Sequence, residues 1–370
     1  MSAFELTAEE AQVASAVRSW LADFAGNSYL NEQENSELGY EPARWKQMCE
    51  LGWTSVNVPA SAGGAGGTLT DAALIVGECG RAAYASPLLQ TLRTVTALTT
   101  LGAWGSFGDV LTGVADGQPV ALVAPPDRPV RAEQAGRGYR LSGPPAVVEW
   151  LSQSEVAVLL VPVSDGERWL CAALRRDDLA GRAADVPSTD NERVARLNLD
   201  GMVLDAGTTG ADDIPARAAG YALARAGLLR ASLMAGGCQD VLERTARYAK
   251  ERHQFGQPIG GFQAVRQHLA RMVIATDGAR LLCDDALTRA EPDADETAIA
   301  AAALFAAGRS YVEVVLTAAQ IHGGVGTTVE HILHHHFRRA KAMQLRSGKR
   351  ANRLRELHEA LVVRHEGSLW

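Results

Sequence analysis

Lysine is scarce in this chain: four residues against 32 arginines, with only seven each of tryptophan, tyrosine and phenylalanine. Positive charge is in deficit overall, 36 Lys and Arg against 43 Asp and Glu, for a net charge of -7. Such a balance excludes a nucleic-acid binder driven by phosphate contacts, although a local basic cluster can still hold one phosphate-bearing small molecule. There are five cysteines, Cys49, Cys79, Cys171, Cys238 and Cys283, with no CxxC pair and no metal-ligand spacing. They read as reduced, mostly buried thiols, and a disulfide scaffold is excluded. No apolar run approaches a membrane span, so no transmembrane helix is expected. The N-terminus, MSAFELTAEEAQ, lacks the basic and apolar regions of a signal peptide, and the expected location is cytoplasmic. The arginine bias and the abundant alanine read as the codon signature of a GC-rich bacterial genome.

What is present suits a folded protein of two or three domains: 370 residues, 47% hydrophobic and 21% charged. Texture divides the chain into three. Residues 1–116 form a helical domain by pattern, with Thr7 and Glu10 as a capping box and a Gly-rich loop, SAGGAGG, at 61–67. Residues 117–210 carry short β-prone runs separated by Gly, Pro and Asp, the pattern of an antiparallel β domain. Within them GYRLSGPPAVVEWL reads as strand, bend and strand. Residues 211–370 return to long helices that predict a four-helix bundle. Pro215 suits a first helical turn, and Gly236–Gly237 a close helix contact. Phe262, Val265, Leu269, Met272 and Thr276 share one face of a further helix, and Asp295 to Gln320 predicts another. The fold class is α+β.

Two segments carry chemistry. In Arg252-His-Gln254-Phe255-Gly256 a helix ends, turns on glycine and restarts near Gly261. An arginine there can fork onto a phosphate, and Phe255 offers a face to a ring system. In Gln320-Ile-His322-Gly323-Gly324-Val-Gly326 three glycines after a long helix let backbone amides approach a ligand. Each alone is also an ordinary helix end. Together, separated by one helical hairpin, they resemble the acyl-CoA dehydrogenase signatures RxxFGxxIxxFQ and QxxGGxGxxxE.

The resemblance covers nearly the whole chain and implies the family's helical, β, helical order. It implies FAD as cofactor and an acyl-CoA thioester as substrate. The α-proton is taken by a carboxylate and the β-hydrogen leaves to the flavin. Carried over, Arg252, Gln254, Phe255, Gln320, Gly323 and Gly324 are the residues given to the ADP part of a neighbouring subunit's FAD.

The matching catalytic residues depart from the family. The family's base is the Glu of a Y-E-G-T stretch; here Gly348 matches the glycine and Ser347 stands in the place of the acid. The alternative position, near Ala226, has no acid in Leu223 to Ala231. In the family's G-x-K-x-W-I-T stretch, which borders the flavin ring, Trp and Thr become Val147 and Glu149, with Trp150 close by. The upstream T-E-P-x-x-G-S-D segment is replaced by VAPPDRPVRAEQAG. No catalytic residue is assigned; Glu149 and Glu330 are the substitute candidates. Asp240 and Glu243 read as surface or capping charges. His331, His334, His335 and His336 include pairs at helical metal-binding spacing, but with no HExxH no metal is assigned. With Arg338 and Arg339 they read as a basic face near a subunit or nucleotide surface.

The residues given to a neighbour are intact and those that hold one's own flavin ring are lost. The chain therefore resembles the base-lacking subunit of actinobacterial α2β2 acyl-CoA dehydrogenases, some of which act in sterol side-chain breakdown. The expected partner is a catalytic acyl-CoA dehydrogenase subunit. Competing readings are a homotetrameric flavoenzyme with a non-standard base or flavin–oxygen chemistry, and a structural relative without activity.

Overall fold

The structure, a computed structural model, describes residues 6–103, 105–127, 130–205, 209–289 and 297–366. Six helices open the chain: α1 (Ala8–Ala22), α2 (Asn27–Asn35), α3 (Pro42–Glu50), α4 (Leu69–Arg81), α5 (Leu88–Thr100) and α6 (Gly108–Ala115). The capping box at the start of α1 forms as expected: Glu10 N donates to Thr7 Oγ1 and Thr7 N to Glu10 Oε2. Thr68 and Asp71 repeat the device at α4.

The middle strands are β1 (Val120–Val123), β2 (Arg131–Ala135), β3 (Gly138–Ser142), β4 (Ala146–Glu149), β5 (Val156–Pro162), β6 (Arg168–Arg175), β7 (Ala183–Val186), β8 (Val194–Leu197), β9 (Val203–Leu204) and β10 (Thr209–Pro215). They form three sheets, ordered β1-β5-β6-β10, β2-β3-β9 and β4-β8-β7. The strand, bend and strand at GYRLSGPPAVVEWL are β3 and β4. The domain is not purely antiparallel, because β1 runs parallel to β5. The helices α5 and α6 feed β1 into the sheet from outside, so it enters without a hairpin. β5 is buried along its whole length, as a central strand must be.

Helices α7 (Ala216–Glu251), α8 (Gln263–Thr288), α9 (Thr297–His322), α10 (Leu333–Arg346) and α11 (Arg350–Glu366) build the C-terminal bundle, with a hairpin of β11 (His253–Gln254) and β12 (Gln257–Pro258) between α7 and α8. Pro215 closes β10 and caps α7 rather than lying inside it. α7 crosses α4 closely: a Cβ on Gly236 would lie 2.0 Å from Gly77 O, and one on Gly237 would meet the Tyr311 ring. Met272 and Thr276 are buried on the expected face of α8. Asp295 lies outside the described residues. α9 is long and apolar enough to cross a membrane by composition, which the reading of apolar runs missed; half of that stretch is buried against the other bundle helices. The cysteines are free, four buried and Cys49 half-buried.

One core joins α1, α3, α4 and α5 to the bundle, and a second fills the β domain. The seam between β4 and the helices α5, α7 and α10 is where the charged groups described next are held.

Candidate functional site

α7 ends at Glu251 and the chain turns back at once. Phe255 and Gly256 both have positive φ, 52° and 83°, the signature of a two-residue hairpin turn. The turn lifts Phe255 away from the body, 93% exposed, edge-on to Phe262 at 6.1 Å. Arg252 is exposed and its guanidinium has no bonding partner among the described residues. Gln254 donates to His253 O at 2.7 Å.

The second segment meets the first. Tyr248, one turn before Arg252, stacks on His322 with ring centroids 4.1 Å apart and planes at 16°. His322 ends α9, and Gly323 follows with φ +64° into a short 3-10 turn, Gly323–Thr327. Burial and the neighbouring His331 lower the His322 pKa to about 4, so this stack is of neutral rings. Gln320, Gly323 and Gly324 are exposed beside it. The Tyr248–His322 stack thus ties both segments to one end of the bundle. Sequence spacing does not reveal it, since His322 falls among glycines and gives no sign of burial.

At the seam between the β domain and the bundle, a cavity of about 400 Å³ brings together the segments that depart from the family pattern. Ala124 to Asp127, Val147 to Glu149, Arg346 and Lys349 line it. A cluster of ion pairs is buried in its otherwise largely apolar wall. Glu149 Oε2 accepts from Arg230 and from Gln90, Arg346 lies 3.5 Å from Oε1, and Arg93 lies 4.0 Å from Oε2. Arg346 also forks onto Asp190, with both bonds 2.8 Å, and reaches Ser188 at 2.5 Å. Burial raises the Glu149 pKa, but Arg230, Arg346 and Arg93 outweigh it and hold the carboxyl below its ordinary value. A carboxylate so stabilised is a weak base, which removes Glu149 as a substitute for the missing catalytic acid.

Ser347 caps the C-terminus of α10 and donates to Met343 O at 2.8 Å. It lines a second cavity of about 400 Å³, between Trp169 of β6 and the helices α7, α9 and α11. The acid lining that cavity is Glu356, ion-paired to Arg353 at 2.8 Å. Glu330 lies elsewhere, in an outer groove with Arg81, Arg244 and His331. It cannot serve a substrate held at Ser347.

Two readings of charged residues are corrected. Asp240 is a buried hub, not a surface charge: Arg244 donates to it at 2.6 Å, and His336 Nε2 lies 3.1 Å away. Glu243 pairs with Arg81. The His–Arg cluster is not a basic face, because its charges turn inward to acids distant in sequence. Arg339, 2% exposed, pairs with Glu192 at 2.8 Å, and Arg338 pairs with Glu34. His336 bonds Tyr311 at 2.7 Å, and burial lowers the His335 pKa to about 3. Trp150, fully buried, donates to Glu192, packs edge-on to Tyr40 at 5.8 Å, and lines neither cavity. Burial outweighs Arg339 and pushes Glu192 up to about 7.

The profile of the acyl-CoA dehydrogenase N-terminal domain matches residues 7–107, and that of the C-terminal domain residues 216–362. Acyl-CoA dehydrogenase IpdE2 of Mycobacterium tuberculosis is 31% identical over 329 residues, 88% of this chain and 88% of its own. The chain belongs to the acyl-CoA dehydrogenase family. FadE27 of the same organism is 28% identical over 356 residues, 90% of this chain and 92% of its own. Among solved structures, a variant of the Tcur3481-Tcur3483 steroid ACAD superposes with a TM-score of 0.84 at 26% identity, covering 98% and 99% of the two chains. The ChsE4-ChsE5 complex from Mycobacterium tuberculosis gives 0.84 at 24% identity, covering 97% and 98%, and shows the fold alone.

Membership places the chain among FAD-dependent oxidoreductases acting on the CH–CH bond of acyl-CoA thioesters. FAD fits this acyl-CoA dehydrogenase at one place and not at another. The exposed Arg252, Phe255 and Gln320, with the glycines beside them, suit the phosphates and adenine of a dinucleotide. The seam cavity, where family members border the flavin ring, is lined by Glu149 and its arginines, a charged wall that does not suit a flavin ring.

Proposed function

We propose that this chain is the FAD-supporting, non-catalytic subunit of a heteromeric acyl-CoA dehydrogenase. The observation that carries the reading is the contrast between the two regions. Arg252 stands exposed at the hairpin and without a side-chain partner among the described residues, while Glu149, Arg230 and Arg346 join in ion pairs in the wall of the seam. A charge left free at a surface turn, beside an exposed aromatic ring and three glycines, is a ready phosphate-binding group. A guanidinium fork gives two parallel hydrogen bonds to a phosphate, and Phe255 covers an adenine or ribose face. In this reading Arg252, Gln254, Phe255, Gln320, Gly323 and Gly324 complete the FAD site of a partner subunit.

In this reading none of the described candidate acids acts as the base, Glu356 being held by Arg353 at 2.8 Å. Ser347 occupies the position of the acid, Glu149 is neutralised by arginines, and Glu330 faces another groove. The partner therefore provides the base and holds the reacting thioester. The relative named as a steroid ACAD, with two gene products in its name, supports an α2β2 assembly and a sterol-type acyl-CoA as substrate. The domain limits expected from sequence, 1–116, 117–210 and 211–370, belong to the same proposal.

The test is to express the chain alone and together with the catalytic acyl-CoA dehydrogenase encoded beside it, measuring mass by light scattering and flavin by absorbance. The expected result is no flavin in the chain alone and a tetramer with one FAD per pair on co-expression. One FAD per chain in a homotetramer overturns the proposal.

A further inference from the structure

The cavity that Ser347 lines combines two kinds of residue. Leu160, Trp169, Leu223 and Leu304 are apolar. Arg93, Arg230 and Arg346 also line it. Arg353, also at the wall, is matched by Glu356 at 2.8 Å. The other three arginines face two carboxylates, Glu149 and Asp190, and Asp190 is taken by the fork of Arg346. Among the described residues one positive charge at this wall remains without a counter-charge. Arg230 is 3% exposed, yet its Nε and Nη1 have no hydrogen-bond partner. Arg93 uses Nε on Ala226 O and Nη1 on Gln90 Oε1, neither of which is charged. Burial and the adjacent Arg230 lower the Arg93 pKa to about 9, as expected of a cation short of an anion. Buried charges in folded proteins are paired, and orphaned donors are filled.

We infer that this cavity binds a small apolar carboxylic acid, its carboxylate held by Arg230 and Arg93 and its hydrocarbon body laid along Leu160, Trp169 and Leu223. A carboxylate supplies the missing negative charge and accepts from the unfilled guanidinium donors. An alcohol of the same length fills the apolar half but leaves the charge uncompensated. The inference deepens the proposed function: with no base at Ser347, the ligand is held and not oxidised, so the cavity is a regulatory or stabilising site rather than a catalytic one.

Isothermal titration of the co-expressed complex with decanoate and with decanol tests it, using the wild type, Arg230→Met and Ala301→Trp. Ala301 lines the cavity on α9 and carries no charge, so Ala301→Trp fills the space without disturbing the ion pairs. The expected result is saturable decanoate binding at least about tenfold tighter than decanol binding, lost by about tenfold or more in each variant. Absence of decanoate binding, equal binding of decanol, or undiminished decanoate binding in Ala301→Trp overturns the inference. If Arg230→Met fails to fold, the ligand comparison and Ala301→Trp decide the matter. Flavin per pair, read from the absorbance of the same wild-type sample, reports separately on the subunit role.

Discussion

Glu149 shows how one substitution changes what a position can do. Where family members have a small hydroxyl residue beside the flavin ring, this chain has a carboxylate, and a carboxylate buried at a domain seam requires cations. Arg230 from α7, Arg346 from α10 and Arg93 from α5 provide them. Removing the charge with Glu149→Gln leaves these guanidiniums buried without their shared anion. The expected cost is ~3–5 kcal/mol in thermal or urea unfolding, the range for breaking a buried pair from one side. The pH dependence has a defined sign. The folded pKa of Glu149 lies below the ordinary 4.5, so the stabilisation is complete above about 4.5 and is lost as pH falls through the folded value. The stability gap between wild type and Glu149→Gln therefore narrows in acid, and a gap unchanged down to the acid transition contradicts the ion-pair account. What the sequence makes legible at this scale is Ser347 beside the glycine that matches the family's, from which the proposal of a base-lacking subunit starts. The inward charges are not legible: Arg339 and Asp240 look like surface residues until Glu192 and His336 are known to meet them, and those contacts join distant parts of the chain.

At the scale of elements, local rules carried much of the fold. The capping boxes at Thr7 and Thr68, the break at Gly143 between β3 and β4, and the helical spacing of Met272 and Thr276 each follow from neighbours in sequence. The parallel pairing of β1 with β5 does not, since no local pattern records which strand lies alongside. The same limit hid the meeting of Tyr248 with His322. Gly236–Gly237 is the case where a local feature implied a distant contact correctly. Gly236→Ala places a methyl 2.0 Å from the Gly77 carbonyl oxygen, and both partners are helix backbone that cannot yield singly. Separating α4 from α7 to accept it costs ~1–3 kcal/mol or more, the price of overpacking a core contact. Gly220→Ala on the same helix meets nothing within 4 Å and gains ~0.5–1 kcal/mol from reduced backbone freedom. Thermal unfolding of the two variants should move in opposite directions; equal shifts would mean that the α4–α7 contact does not limit stability.

For the whole molecule, the proposed subunit role implies sites of two kinds, and the two kinds respond to different substitutions. Arg252→Ala changes an exposed side chain with no partner among the described residues, so the chain's stability should stay within ~0.5 kcal/mol of wild type. Flavin retained per pair after gel filtration should nonetheless fall, with FAD affinity weakened about tenfold or more, because a charge-assisted phosphate contact is worth ~1.5–3 kcal/mol. Full flavin retention in this variant would detach Arg252 from the cofactor. The seam gives the converse. Val147→Trp combined with Ser347→Glu restores in this chain two residue types of the family's ring site and base. Neither replaces a member of the Glu149–Arg230 pair in the wall of the cavity. The complex should therefore keep one FAD per pair and gain no dehydrogenation per partner site, since the wall still carries Glu149 with arginines from three helices. Adding Glu149→Thr and Arg230→Ala removes that pair. If the ion pairs are what exclude the ring, a second flavin can enter only in the fourfold variant, and a second flavin already present with the first two substitutions would show that the seam was open to it from the start.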